Sequence, residues 1–124
     1  MYQILLIDDD FELGELLQEY LAMEGYELTV CHDGESGLAA ALTGKHDLVL
    51  LDVMLPKMNG FDATGIIREL SKDVQIVIQS SFVEFGENDE AIKAGANYFI
   101  TKPINKNRLR VIIDEVCKKK YLKY

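Results

Sequence analysis

Cysteine is scarce in this chain, with Cys31 and Cys117 the two in 124 residues. Both lie in apolar, strand- or helix-like surroundings and read as buried free thiols, which suits a reducing cytoplasm. Histidine is equally scarce. His32 and His46 stand apart from any ligand cluster and read as surface residues. Long apolar runs are missing too. Nothing approaches the roughly 20 residues that span a bilayer. No basic stretch precedes a long apolar one at the N-terminus, so neither a membrane anchor nor a secretory leader is expected. Positive charge is outnumbered, with 13 Lys and Arg against 21 Asp and Glu, a net charge of −8. A direct nucleic-acid binder needs a basic face to neutralise phosphates, so that class is set aside. The basic tail, Lys118 to Lys120 and Lys123, reads as cations complementing a helix C-terminus.

What is present is the mix of a soluble globular domain, 48% hydrophobic and 27% charged. The length suits one domain over residues 1–124, with no internal repeat or linker and no output domain after it. Strand-like and helix-like segments alternate. Strands are expected at Gln3 to Ile7, Glu27 to Cys31, Leu48 to Leu51, Val74 to Ile78 and Tyr98 to Ile100. Between them, Leu13, Leu16, Leu17, Tyr20 and Leu21 form a helical face stopped by Gly25. Helices are also expected over Ser36 to Leu42, closed by Gly44, over Phe61 to Leu70 with Ile66, Ile67 and Leu70 inward, and over Glu87 to Ala94, ended by Gly95. Asn105 caps a last helix with Leu109, Ile112, Ile113 and Val116 inside. Five such βα units give an α/β fold of three layers, a parallel sheet with helices on both faces.

In open parallel sheets the binding crevice lies beyond the carboxyl ends of the strands. Asp8 and Asp9 end the first strand, Asp52 the third, Ser80 and Ser81 the fourth, Thr101 and Lys102 the fifth. Asp10 reads as a helix N-cap. Three carboxylates in one crevice repel one another and raise each other's pKa unless a cation joins them. Lys102 supplies one charge and a divalent metal the remaining two. Hard oxygen ligands without Cys or His select Mg²⁺, or Mn²⁺ in its place, over zinc. A carboxylate nucleophile, a hydroxyl and an ammonium around such a metal are the parts for phosphoryl transfer to an aspartate. Asp52 attacks phosphorus, the metal and Lys102 neutralise the phosphoryl oxygens, and Ser80 donates a hydrogen bond to one of them.

The motifs ILLIDDD, DLVLLDVMLPKMNG at 47 to 60, VIQSS at 77 to 81 and AGANYFITKPI at 94 to 104 resemble those of response-regulator receiver domains, the CheY-like family. The resemblance runs from Ile4 to about Lys118. It implies a flavodoxin-like (βα)5 fold of strand order 2-1-3-4-5. It also implies Asp52 as phospho-acceptor, Asp8 and Asp9 as the metal-binding pair with Asp9 the direct ligand, and the Met54 backbone carbonyl completing the metal site. Ser80 and Lys102 match the conserved hydroxyl and lysine, and Lys102-Pro103 a peptide bond typically cis. Phe99 matches an aromatic switch that turns inward when the hydroxyl moves toward the phosphoryl group. Met54 and Phe82 match positions that tune hydrolysis, and their bulk implies a long-lived phospho-form.

The implied partners are a histidine kinase or phosphotransfer protein, docking on Phe11, Gly14, Gln18 and Pro103-Ile104, and a downstream protein or an output domain absent here. The downstream contact would read the fourth helix, fifth strand and fifth helix. Ser81 stands where Ala or Gly is usual and is a second candidate donor. Asn59-Gly60 replaces the commoner Asp-Gly of a tight turn. Asn97-Tyr98 replaces an acidic pair common in receivers that dimerise through their fourth and fifth helices, which weakens the case for that dimer. Arg108 sits where a capping-box acid is expected. An Asp-nucleophile phosphatase would want a second acid at position 54, where Met stands. A nucleotide-binding flavodoxin-like domain would want Gly, Ser or Thr after the first strand, where DDDFELG would repel phosphate. The expected role is therefore a phospho-accepting switch rather than an enzyme acting on external substrates.

Overall fold

Buried strands dominate the order of the chain. The computed structural model describes residues 2–80 and 87–121, with side chains described through Val116 apart from those at 87 and 88. Ser81, Phe82, Cys117 and the lysine tail therefore lie outside the described side chains. The elements are β1 Gln3–Ile7, α1 Phe11–Met23, β2 Glu27–Cys31, α2 Gly34–Ala41, β3 Leu48–Asp52, β4 Met54–Leu55, β5 Met58–Asn59, α3 Gly60–Leu70, β6 Gln75–Ser80, α4 Glu87–Ala94, β7 Tyr98–Thr101 and α5 Lys106–Tyr121.

The parallel sheet has the order β2-β1-β3-β6-β7. This is the expected order of five main strands. The numbering differs because a two-residue ribbon, β4 paired with β5, intervenes after β3. That ribbon was not anticipated, since two residues are too short for any periodic pattern. Its turn is Pro56-Lys57, with Lys57 at φ 63°. A proline followed by a left-handed residue is the pairing a type II turn favours.

The core has two halves, one on each face of the sheet. Ile4, Leu6, Leu48, Leu50, Val77 and Ile100 meet Leu17 and Leu21 of α1 and Leu109, Ile112, Ile113 and Val116 of α5. Leu5, Ile7, Val49, Leu51, Ile76 and Ile78 meet Ala41 of α2, Ala63 and Ile67 of α3 and Ala91 of α4. Covering both faces explains the uninterrupted apolar runs. Each fully buried Leu or Ile adds roughly 1.5–3 kcal/mol.

Three apolar residues expected inward are instead exposed: Leu16 of α1 and Ile66 and Leu70 of α3. In α3 the inner line is Gly60, Ala63, Thr64 and Ile67, a four-residue step that leaves Ile66 and Leu70 on its flank. Small residues take that line because α3 lies close to the sheet. The caps are as the sequence indicates. Asp10 Oδ1 accepts from the Leu13 N–H, and Asn105 Oδ1 accepts from Asn107 and Arg108 N–H, so α5 is capped without an acid at Arg108. Asn97 has a structural use, its Oδ1 accepting from Arg68 Nη2 at 2.8 Å and from the Ile76 N–H at 2.9 Å. The same guanidinium donates to the carbonyls of Ser71, Lys72, Val74 and Gly95. Among the described residues no helix is long and apolar enough to cross a membrane.

Neither Cys31 nor His46 fits its expected environment fully. Cys31 is a free thiol but only half-buried. His46 is half-buried rather than a surface residue, and its Nδ1 is enclosed with no hydrogen-bond partner among the described residues. Burial pulls the His46 pKa below its ordinary 6.5, and the Lys45 charge pulls in the same direction. A folded-state pKa below the unfolded value means that the unfolded chain takes the proton first. Stability tied to neutral His46 is therefore present above 6.5 and is lost as pH falls below it. Denaturant titrations between about pH 7 and pH 5, the histidine range, should show falling stability, and His46→Phe should flatten that slope.

Candidate functional site

Alternation along the strands decides which side chains meet at the carboxyl end of the sheet. Ile4 and Leu6 face the α1–α5 side, as do Leu48 and Leu50, Val77, and Ile100. Two residues further along each strand are Asp8, Asp52, Gln79 and Lys102. The register sets Asp52 beside Gln79 and Ile7 beside Leu51. Ser80 alternates the other way, in line with Ile76 and Ile78, and shares that face with Phe99. The ladders continue past the strand ends, with Asp8 N–H donating to Cys31 O, Val53 N–H to Gln79 O and Lys102 N–H to Ser80 O at 2.8 to 3.0 Å. The backbone carrying the site is thus fixed by the sheet itself.

One carboxylate oxygen from each of Asp8, Asp9 and Asp52 lies within 4.8 Å of the other two. Asp8 is fully buried and Asp52 is 6% exposed, while Asp9 faces solvent. Lys102 Nζ bridges the two buried acids, 2.8 Å from Asp8 Oδ2 and 3.0 Å from Asp52 Oδ2. Asp8 Oδ1 accepts from the Asp10 N–H at 2.9 Å, and Asp52 Oδ1 from the Met54 N–H at 3.0 Å. Burial pushes the Asp8 carboxyl above its usual range, outweighing the Lys102 and Asp10 hydrogen bonds that pull it down. Burial acts against the Lys102 ammonium as well, but its hydrogen bonds and charge attraction to Asp8 and Asp52 outweigh that and hold its pKa above the ordinary value. Three carboxylates against one ammonium leave two negative charges uncompensated. The donor set is all hard oxygen, so it fits Mg²⁺ or Mn²⁺ and gives no soft ligand for zinc.

The surrounding residues are arranged around this cluster. Ser80 is fully buried. Phe99 is half-buried and packs against the α2–α3–α4 side of the core. The Lys102–Pro103 peptide is cis. Met54 exposes its side chain beside the site. Phe11 is exposed and stacks on His32 with centroids 3.8 Å apart, and His32 Nδ1 lies 3.0 Å from the Asp8 backbone oxygen. His32, expected as a surface residue, is therefore half-buried at the rim. Gly14 is buried, with Gln18 one turn further donating to Leu28 O.

Gln79 was not singled out from the sequence. It is fully buried, its Nε2 donates to Asp8 Oδ2 at 2.7 Å, and its Oε1 is enclosed with no partner among the described residues. An unsatisfied buried carbonyl costs about 1–3 kcal/mol. The available signal was an amide inside a strand covered on both faces, where a polar side chain needs a partner. The reading of Asn59-Gly60 also changes. Asn59 caps α3 and Gly60 opens it. Gly60 is needed for close approach, since a Cβ there would lie 2.5 Å from the Asp52 carbonyl oxygen and 2.6 Å from Val53 Cα.

The chain matches the family model described as the response regulator receiver domain over residues 4–114. It is 36% identical over 117 residues to the transcriptional regulatory protein RprY of Bacteroides fragilis, covering 94% of this chain and 50% of that one. It is 38% identical over 121 residues to the transcriptional regulatory protein CpxR of Klebsiella pneumoniae, covering 98% and 51%. The chain therefore spans about half the length of the curated relatives it matches. Among solved structures it resembles the signal receiver domain of a putative Luxo repressor protein from Vibrio parahaemolyticus, with TM-score 0.90, 26% identity and coverage of 98% and 94%. A two-component response regulator from Clostridium difficile gives TM-score 0.92 at 22% identity, covering 97% and 98%, a likeness of fold.

Gly60→Ala should displace the backbone at Asp52 and Val53. Amide chemical shifts of those two residues should move, and urea unfolding should show a loss of about 1–3 kcal/mol, the usual cost of overpacking.

Proposed function

The chain belongs to the response regulator receiver family, and from that footing we propose that Asp52 accepts a phosphoryl group from a phosphohistidine donor. The single observation that carries this is the Asp52 carboxylate held at the crevice by Lys102 at 3.0 Å, with Asp8 and Asp9 alongside. An Asp52 oxygen attacks phosphorus in line. The new O–P bond forms as the P–N bond to the donor imidazole breaks, its electron pair leaving on the nitrogen. Lys102 already touches Asp52, and its ammonium offsets charge on the phosphoryl oxygens. Ser80, beside Thr101 at the end of β6, would supply a hydroxyl to one of them.

Asp9, Asp52 and the Met54 carbonyl would hold Mg²⁺, with Asp8 supporting them. When bound, the ion neutralises the phosphoryl oxygens and the excess of carboxylate charge. The phosphoryl group carries roughly −1.5 to −2 charges in place of the single charge of the Asp52 carboxylate, and spreads them over three oxygens further out. That bias would draw Ser80 toward the site and let the Phe99 ring turn inward, altering the face formed by α4, β7 and α5. Ser81, next to Ser80, is the second candidate donor, and Phe82 the second position governing water access. Phosphorylation and dephosphorylation are self-catalysed, with no turnover of outside substrates. The donor would be a cytoplasmic histidine kinase or phosphotransfer protein docking at Phe11 and Pro103-Ile104. The reader of the switched face would be a downstream protein or an output domain, such as the transcriptional relatives suggest.

Incubation with Mg²⁺ and a small acyl-phosphate donor should give a phosphoryl adduct by intact mass. The adduct should be absent from Asp52→Asn and from metal-free wild type. Lack of an adduct in wild type that binds Mg²⁺ and is presented with a cognate kinase would refute the reading. The exposed apolar Met54 should slow water attack, so Met54→Asn should shorten the lifetime of the adduct several-fold, followed by the decay of the same mass peak.

A further inference from the structure

Gln79 has a place in this site that the acids and the lysine do not explain. Its amide is fully buried, beside Asp52 in the register, with apolar Val77 before it on the same strand face and Ile100 across from it on β7. A methionine or leucine of similar volume would pack there without leaving Oε1 unpartnered. What only the amide provides is the Nε2–H donated to Asp8 Oδ2 at 2.7 Å.

That bond completes a set. A carboxylate offers about four lone-pair sites. Asp8 Oδ1 takes the Asp10 N–H, and Oδ2 takes both Gln79 and Lys102. Three donors on two oxygens fix the plane of the carboxylate and leave the free lone pair on Oδ1. The Gln79 amide itself cannot turn over, because Oε1 would then face a carboxylate oxygen. Lys102 is the less constant of the two donors on Oδ2, since it is shared with Asp52 at 3.0 Å and has work to do on a phosphoryl group.

We propose that Gln79 is a positioning residue for the metal site: its side-chain amide fixes the orientation of Asp8 and keeps it fixed when Lys102 turns to the phosphoryl group. The inference rests on the receiver reading above. Hydrogen-bond partners of this kind behind a metal site typically change affinity by 10–100-fold.

The test compares wild type, Gln79→Met, Gln79→Leu and the packing control Val77→Ala, which lies on the same strand and face. Mn²⁺ affinity is measured by EPR titration and metal-free thermal stability by calorimetry. Gln79→Met should bind Mn²⁺ at least about tenfold more weakly while its metal-free melting temperature is unchanged or higher. Val77→Ala should melt lower with unchanged Mn²⁺ affinity. Should Gln79→Met fail to fold, Gln79→Leu carries the same expectation, and failure of both to fold would make Gln79 a structural residue and overturn the proposal. Equal Mn²⁺ affinity in wild type and Gln79→Met would overturn it while leaving the receiver reading intact. So would a weakening matched by a fall in melting temperature. A wild type that binds no Mn²⁺ would overturn both.

Discussion

Repulsion among three carboxylates is the constraint on which the rest of this structure turns. Asp8, Asp9 and Asp52 present oxygens within 4.8 Å of one another, two of them from buried residues. At that spacing each like-charged pair costs on the order of 3 kcal/mol in a protein-like dielectric. A domain's entire margin of stability is about 5–15 kcal/mol. The apolar sheet supplies the rigidity that keeps the acids together, and Lys102 supplies the first offset to their repulsion. Burial makes the residual charge more demanding, which is why Asp8 resists ionisation more than an ordinary carboxyl does. A crevice in that condition holds an excess of charge that a small hard cation would offset.

The two faces of the sheet divide the labour. Asp8, Asp52, Gln79 and Lys102 lie in line on the α1–α5 side, while Ser80 and Phe99 alternate to the α2–α3–α4 side. The proposed acceptor Asp52 and the proposed switch Phe99 thus lie on opposite faces of the sheet. The strand β6 joins them, because Gln79 and Ser80 are consecutive and point to opposite faces. A single peptide unit therefore links the two faces at this point.

Much of this was legible in the sequence because buried parallel strands leave an unmistakable trace, four or five apolar letters closed by a polar one. The strand ends Asp8 and Asp52 are legible in that way, Ser80 through the family resemblance of VIQSS, and Asp10 and Asn105 as caps. Other features left weaker traces. The β4–β5 ribbon is too short for a period. Ile66 and Leu70 look like core by their letters, yet the tighter approach of α3 favours Ala63 and Thr64 on the inner line. His46 stands apart from any ligand cluster and reads as a surface residue, although folding encloses its Nδ1. Gln79 leaves only the trace of a single amide in a strand covered on both faces. In each case the missing information is three-dimensional, the distance between layers or the depth of one atom.

Arg68 has a mechanical consequence. Its guanidinium holds the Gly95 carbonyl at 2.9 Å along with the segment between α3 and β6, and the stem of the same side chain would lie 2.9 Å from any Cβ at Gly95. The C-terminal end of α4 is therefore riveted to the body of the domain. If α4 swings, its fulcrum is at Gly95 and its longest travel is at Glu87, the end that follows from the Ser80 strand. In an eight-residue helix about 12 Å long, pinned at one end, any tilt grows with distance from Gly95.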